Sequence, residues 1–259
     1  MQKRVGSRHR LPGLTVAGGY TLHPFDEANG VRTSGLIAGR YLKSGHRHDR
    51  HATAYFGVAP SVFKALLRRW SQSKPVAPIE EFTFVDLGAG MGRAVLLASE
   101  MPFRNVIGVE LNPTLARIAR RNVRLWQAGR RKHAETSICC RDALAFRFPT
   151  GPCLVFLFNP FGAPVVRRLL THIAASFAER PGHLDLLYVN DEQADMIRIH
   201  PGFSLQFRGK VPRSRTDAIA DHAIMANQPD GEYASANYED CSIWRWIGSE
   251  RNQPHTAKR

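Results

Sequence analysis

Phe84-Val85-Asp86-Leu87-Gly88-Ala89-Gly90-Met91-Gly92-Arg93 is the stretch that decides how this chain of 259 residues is read. Apolar strand formers run into glycines spaced G-x-G-x-G, and the helical run Ala94-Val95-Leu96-Leu97-Ala98 follows at once. A strand that turns through glycines into a helix lets backbone N–H groups approach a ligand and aims a helix N-terminus at it. The spacing is not the G-x-G-x-x-G of dinucleotide binders. Asp86 also stands two residues before the first glycine, where it would repel a pyrophosphate and attract a sulfonium or ammonium group.

Downstream, Val106-Ile107-Gly108-Val109-Glu110-Leu111 reads as a second strand ending in an acid. Glu110 lies roughly 20 residues beyond the glycines, the offset at which a carboxylate reaches the ribose hydroxyls of a bound nucleotide. Asn112-Pro113 then opens a helix whose apolar face carries Leu115, Ile118, Ala119 and Val123. A third strand ends at Arg141-Asp142-Ala143, where the Asp142 carboxylate can accept a hydrogen bond from an adenine amino group. The fourth, Leu154-Val155-Phe156-Leu157-Phe158, is apolar throughout, as a sheet covered on both faces requires, and runs directly into Asn159-Pro160-Phe161-Gly162.

Together these stretches resemble the class I S-adenosylmethionine-dependent methyltransferases, whose first motif has the form V-D-L-G-x-G-x-G and whose second strand ends in an acid. The resemblance covers roughly residues 55 to 190. It implies a Rossmann-like three-layer α/β sandwich with a mostly parallel seven-stranded sheet, here with an irregular N-terminal extension. It also implies that S-adenosyl-L-methionine is the cofactor. Asp86 with Gly88, Ala89, Gly90 and Gly92 would hold its methionine part, Glu110 with Leu111 the ribose, and Asp142 with Ala143 the adenine. Asn159-Pro160 looks like the N-P-P-Y loop of methyltransferases acting on planar nitrogen, although Phe and Gly replace its last two residues. Asn159 is therefore expected beside both cofactor and acceptor, and Pro160 on the acceptor side. Thr53-Ala54-Tyr55-Phe56-Gly57-Val58-Ala59-Pro60-Ser61 is similar to the segment that precedes the first motif in some protein lysine methyltransferases, which makes Tyr55 the other candidate on the acceptor side. The implied reaction is in-line transfer of a methyl group to nitrogen, on a protein side chain in preference to RNA. A small-molecule or RNA methyltransferase, or a non-catalytic cofactor-binding protein, would show the same cofactor residues.

Around this centre the sequence divides into four parts. Residues 1–52 are rich in Gly, Arg and His, show no sustained period, and read as a basic, partly disordered arm. Residues 53–75 carry Val62, Phe63, Leu66, Leu67 and Trp70 at helical spacing and form a segment that covers the cofactor site. Residues 76–248 alternate strands and helices as the methyltransferase domain, with strands also expected near 184–190, 203–209 and 240–246 and a long loop over 212–237. Residues 249–259 read as a frayed tail.

Composition excludes some classes. With 43% hydrophobic and 22% charged residues the chain is globular in character, and it contains no apolar run long enough to span a membrane. Its four cysteines lack C-x-x-C spacing, which argues against a zinc or dithiol site and fits a reduced, cytoplasmic protein. His46, His48 and His51 beside Asp49 read as a solvated basic stretch, so no metal is expected. The net charge of +14 suits an acidic macromolecular partner. Nothing in the sequence sets the oligomeric state.

Overall fold

Strands that are apolar on both faces need helices on both sides, and the chain supplies them in alternation. A computed structural model describes residues 21–129, 134–227 and 233–248. In chain order these form α1 (Pro24–Asn29), β1 (Leu36–Ile37), β2 (Tyr55–Phe56), α2 (Pro60–Gln72), β3 (Thr83–Leu87), α3 (Arg93–Ser99), β4 (Asn105–Glu110), α4 (Pro113–Ala128), β5 (Glu135–Cys140), β6 (Cys153–Phe158), α5 (Ala163–Ser176), β7 (Leu184–Val189), α6 (Ala194–Arg198), β8 (Phe203–Pro212), α7 (Arg215–Ala226) and β9 (Tyr238–Trp246).

Seven strands form one sheet in the order β5-β4-β3-β6-β7-β9-β8. Neighbours from β5 to β7 pair in parallel, whereas β9 runs antiparallel to both β7 and β8. The fold is thus the Rossmann-like α/β sandwich with a mostly parallel sheet. Successive strand residues face opposite sides. Phe84 and Phe156 pack with α2, α3 and α4, while Val85, Val155 and Leu157 pack with α5 and α6. Because the chain winds outward from β3 in one direction and returns at β6 in the other, the carboxyl ends of these two strands flank the topological switch point where ligands bind in open α/β sheets.

Local chemistry sets the helix starts. Asn112 caps α4 by accepting hydrogen bonds from the N–H groups of Thr114 (2.9 Å) and Leu115 (3.3 Å), with Pro113 in the first turn. Helix α2 is anchored to the sheet by a buried polar junction in which Trp70 Nε1 donates to Asp185 (2.7 Å) and Arg245 Nε donates to the same carboxylate (2.7 Å). Among the described residues no helix is long and apolar enough to cross a membrane.

Two sequence expectations are corrected. The arm expected to be irregular over 1–52 is folded from Thr21 onward: α1 is capped by His23, and Asp26, buried at its centre, accepts four hydrogen bonds from the N–H and hydroxyl groups of Thr33 and Ser34. Residues 1–20 lie outside the described residues, as does the tail from 249. The loop expected over 212–237 contains α7, which buries Asp217, Ala220, Asp221 and Ile224. Hydrophobic periodicity is blind to a helix whose buried face is half acidic. The signal that betrays it is Ser214-Arg215-Thr216-Asp217, a capping pattern in which Ser214 Oγ accepts from Asp217 N (3.1 Å).

Candidate functional site

At the switch point the glycine turn, the ends of β4 and β5 and the segment 48–58 enclose one crevice. It is lined by Asp86, Gly88, Ala89, Gly90, Glu110, Leu111, Asp142, Ala143, Tyr55 and Pro160. Ten positions singled out along more than 100 residues of sequence therefore meet in one place. Gly92 and Asn159 do not line it. Gly92 stands behind the turn as the cap of α3, where an added Cβ would lie 3.3 Å from the Cβ of Ala119, so its part is structural. Asn159 faces an adjoining cavity.

The turn is built by hydrogen bonds from the neighbouring strand. Gly88 N and Ala89 N both donate to Val109 O (2.8 and 3.0 Å), and Gly90 N donates to Glu110 Oε2 (2.7 Å). Glu110 Oε1 accepts from Asn112 N (2.7 Å), so this carboxylate clamps the glycine turn to the start of α4 at the wall of the crevice it lines. Sequence reasoning assigned Glu110 to the ribose alone; the structure adds the clamp. Burial pushes its pKa up, and the N–H groups of Asn112, Gly90 and Leu111 oppose that rise.

Asp86 has no such partners. It is 4% exposed, lines the crevice, and makes no hydrogen bond or ion pair with any described residue. Burial, together with the charge of Glu110, pushes its pKa up to about 8. A buried carboxyl left without a protein partner beside a second carboxylate is a site that a cation completes.

The roof is close. A Cβ on Gly88 would fall 2.4 Å from Pro160 Cβ, and one on Gly90 would fall 2.2 Å from the Tyr55 ring. Both glycines also adopt the left-handed conformation that side chains disfavour, with φ of 85° and 54°. The crevice is accordingly narrow, about 100 Å³, below the roughly 300–1,000 Å³ usual for ligand pockets. Tyr55 Oη donates to Thr33 O (2.7 Å), so the hydroxyl points away from the crevice and the ring is what meets the turn. Arg93, the first residue of α3, is buried and ties this roof to the turn by donating to Thr33 Oγ1 (2.7 Å) and Gly57 O (3.1 Å). Sequence reasoning missed Arg93, and its only local signal is a charged residue opening an otherwise apolar helix.

The histidine segment, expected to be solvated, instead reaches the crevice. His48 is 8% exposed and accepts from Arg168 Nη1 at Nε2 (3.0 Å), which leaves its Nδ1–H to face Asp142 Oδ2 at 3.0 Å. Burial lowers the His48 pKa, assisted by His46 and Arg168 and opposed by Asp142. Asp142 Oδ1 accepts from Leu144 N (3.0 Å), so this carboxylate is oriented from both sides. His46 Nε2 also lies 4.0 Å from Asp142 Oδ2. His46, His48 and Asp142 thus offer ligand-type atoms within 4.8 Å of one another, and the Arg168 guanidinium on Nε2 of His48 leaves its proton on Nδ1, facing the Asp142 carboxylate. His48→Ala is expected to weaken binding of an adenosine-containing ligand about three- to tenfold through the freed carboxylate, the size of one neutral hydrogen bond. Equal affinities of wild type and variant by calorimetry would show that Asp142 needs no orientation.

Asn159 adopts φ of 37° at the end of β6. Its carbonyl accepts from Thr53 Oγ1, and its Oδ1 accepts from Tyr188 Oη (3.3 Å). The Pro160 carbonyl, expected to face an acceptor, receives Thr53 N (3.4 Å). The bridge between Ala52 and Phe161 extends this antiparallel contact, which holds the roof segment against the loop after β6.

No protein-family model and no curated protein sequence matches the chain. Among solved structures it is similar to the magnesium protoporphyrin IX methyltransferase of Synechocystis PCC 6803 with bound SAM, at 15% identity over 73% of this chain and 78% of that one, with a TM-score of 0.45. It is likewise similar to an RNA methyltransferase from Salinibacter ruber in complex with S-adenosyl-L-homocysteine, at 18% identity over 76% and 97% of the two chains, with a TM-score of 0.41. At such identities and TM-scores the likeness is one of architecture, and the chemistry has to be read from the side chains of the crevice.

Proposed function

We propose that this protein is an S-adenosylmethionine-dependent methyltransferase that transfers the methyl group to nitrogen. The observation that carries the reading is the Asp86 carboxyl, without a partner among the described residues, beside Glu110 in the glycine-lined crevice. Two acids at this point suit a cofactor bearing sulfonium and ammonium charges and oppose a dinucleotide pyrophosphate. The donor set fits the rest of such a molecule as well. Glu110 has free lone pairs for ribose hydroxyls, and Asp142, steadied by His48, can accept from an adenine amino group.

S-adenosylmethionine supplies an electrophilic methyl group already activated by the positive sulfur. The protein then has to align the acceptor, exclude water and leave the acceptor's lone pair free. Tyr55 and Pro160, pressed on the glycine turn, exclude water, while Asn159, on the wall of the adjoining cavity, orients the nitrogen. The hydroxyl of Tyr55 is engaged with Thr33, so that residue acts through its ring. The charge of +14 supports a macromolecular acceptor, or one carried on an acidic assembly.

Cofactor binding tests the reading directly. In the free protein Asp86 titrates at about 8, and a cationic ligand favours its ionised form. Affinity for S-adenosylmethionine is therefore expected to climb between about pH 6 and 8, by up to about tenfold per unit, with release of a proton detectable by calorimetry in buffers of different ionisation enthalpy. Because the folded-state pKa of this acid is raised above 3.8, its ionisation also costs stability as pH rises toward 8. Asp86→Asn should remove that cost, raising the melting temperature at pH 8 while weakening the cofactor. Binding of NAD in place of S-adenosylmethionine would overturn the assignment.

A further inference from the structure

Beyond Phe56 and Phe158, which line both spaces, the crevice adjoins a second cavity of about 570 Å³ at the carboxyl ends of β6 and β7 and the start of β9. Its size is ordinary for a small-ligand site. Its walls carry three carboxylates, Glu192, Glu239 and Asp240, against a single guanidinium, Arg213, in a chain whose net charge is +14. Arg213 is not free to balance them, because it is already paired with Glu239 and lies 3.3 Å from Asp221. Lys210, whose ammonium sits over the Tyr238 ring at 3.9 Å, lies opposite Asp240 on β8 and offsets part of its charge. Glu192 has no ion-pair partner among the described residues.

A second observation is independent of this charge. Asn159 is 7% exposed and lines the cavity, yet only its Oδ1 has a partner; its Nδ2 bonds to no described residue. Beside it Asn190 ends the adjacent strand β7, and both asparagines hold left-handed backbone, with φ of 37° and 50°. Both asparagines line the same cavity.

We infer that this cavity receives the methyl acceptor and that the acceptor is a primary alkylamine, drawn in as its ammonium form by Glu192 and Asp240 and oriented by the amides of Asn159 and Asn190. The inference rests on the reading of the neighbouring crevice as a methyl-donor site. The bound ammonium first loses a proton to solvent. The nitrogen lone pair then forms the N–C bond as the C–S bond breaks, and the bonding pair leaves with sulfur as a neutral thioether. The secondary ammonium product gives up its extra proton in turn. A phosphate-bearing acceptor would meet repulsion at this mouth.

The test has a binding arm and a transfer arm. In the first, 1,5-diaminopentane and Nα-acetyl-lysine methylamide are titrated by calorimetry into the protein saturated with S-adenosylhomocysteine. The double variant Glu192→Gln/Asp240→Asn, altered only at exposed positions, is run beside wild type. Binding of an amine to wild type, weakened on the order of tenfold in the variant with unchanged S-adenosylhomocysteine affinity, is the expected result. The better of the two ligands separates a free amine from a lysine side chain. In the second arm, methyl transfer from labelled S-adenosylmethionine to the same amines should show a KM raised in the variant and kcat nearly unchanged. Failure of both amines to bind while S-adenosylhomocysteine still binds, or methylation of RNA with equal KM in both proteins, would overturn the inference and leave the proposed function standing. Failure of S-adenosylhomocysteine itself to bind would remove both.

Discussion

Glu110→Ala is expected to weaken S-adenosylhomocysteine binding by about 1.5–3 kcal/mol, a loss of tenfold or more. The effect has two sources. The variant loses the carboxylate that accepts ribose hydroxyls, and it also releases the clamp that holds Gly90 N and Asn112 N at 2.7 Å each. Two buried donors left unsatisfied cost about 1–3 kcal/mol apiece, so the melting temperature should fall with the affinity. Glu110→Gln separates the two. One oxygen can still accept from a backbone amide, while its NH₂ group faces the other donor and can no longer accept there. Its stability should fall between alanine and wild type, with an affinity loss close to that of alanine. Calorimetry showing unchanged affinity in a folded variant would remove Glu110 from the cofactor site.

Asn159→Gly and Asn159→Ala should both lower kcat/KM by on the order of 100-fold, with cofactor affinity held within about twofold. The amide is lost in both, so the chemical step should suffer equally. Stability should not follow suit. At φ of 37° a Cβ is strained by about 1–2 kcal/mol, which asparagine tolerates by local hydrogen bonding and glycine does not incur, so the alanine variant should melt lower than the glycine one. A role confined to closing the turn after β6 makes the opposite forecast: the glycine variant would keep its single-turnover rate within about threefold of wild type. That result would leave Asn190 and the walls of the second cavity to position the acceptor.

The central sheet and the cofactor side of the crevice are legible in sequence for a common reason. Strands β3, β4 and β6 are apolar runs that end in glycine, acid or asparagine, and in a parallel sheet every carboxyl end falls on the same edge. Asp86, Glu110 and Asp142 therefore converge once the strand order is known. Local spacing carries that information because turn, cap and strand are each set by a few neighbouring residues.

What local spacing does not carry is any structure held by buried polar contacts between distant segments. The region from Thr21 to Ala52 shows no hydrophobic period because Asp26 organises it, accepting from Thr33 and Ser34 and lying 4.0 Å from Arg93, and Asn122 joins it to α4 by accepting from Arg32 N (2.9 Å). Helix α7 escapes notice because its inward face presents Asp217 and Asp221 to His23 and Arg213. His48 reads as solvated until the fold sets Arg168 and Asp142 on its two sides.

By itself, then, the sequence determined the alternating sheet, the glycine turn and the three acids at its edge, since each follows from periodicity or from a steric demand within a few residues. Only the tertiary structure decided that Asp86 lacks a partner among the described residues, that Glu110 clamps the turn, that Gly92 stands outside the crevice, and that Asn159 opens onto a separate acidic cavity. These are properties of desolvation and of contacts between residues far apart in the chain, and they exist only when the chain has folded.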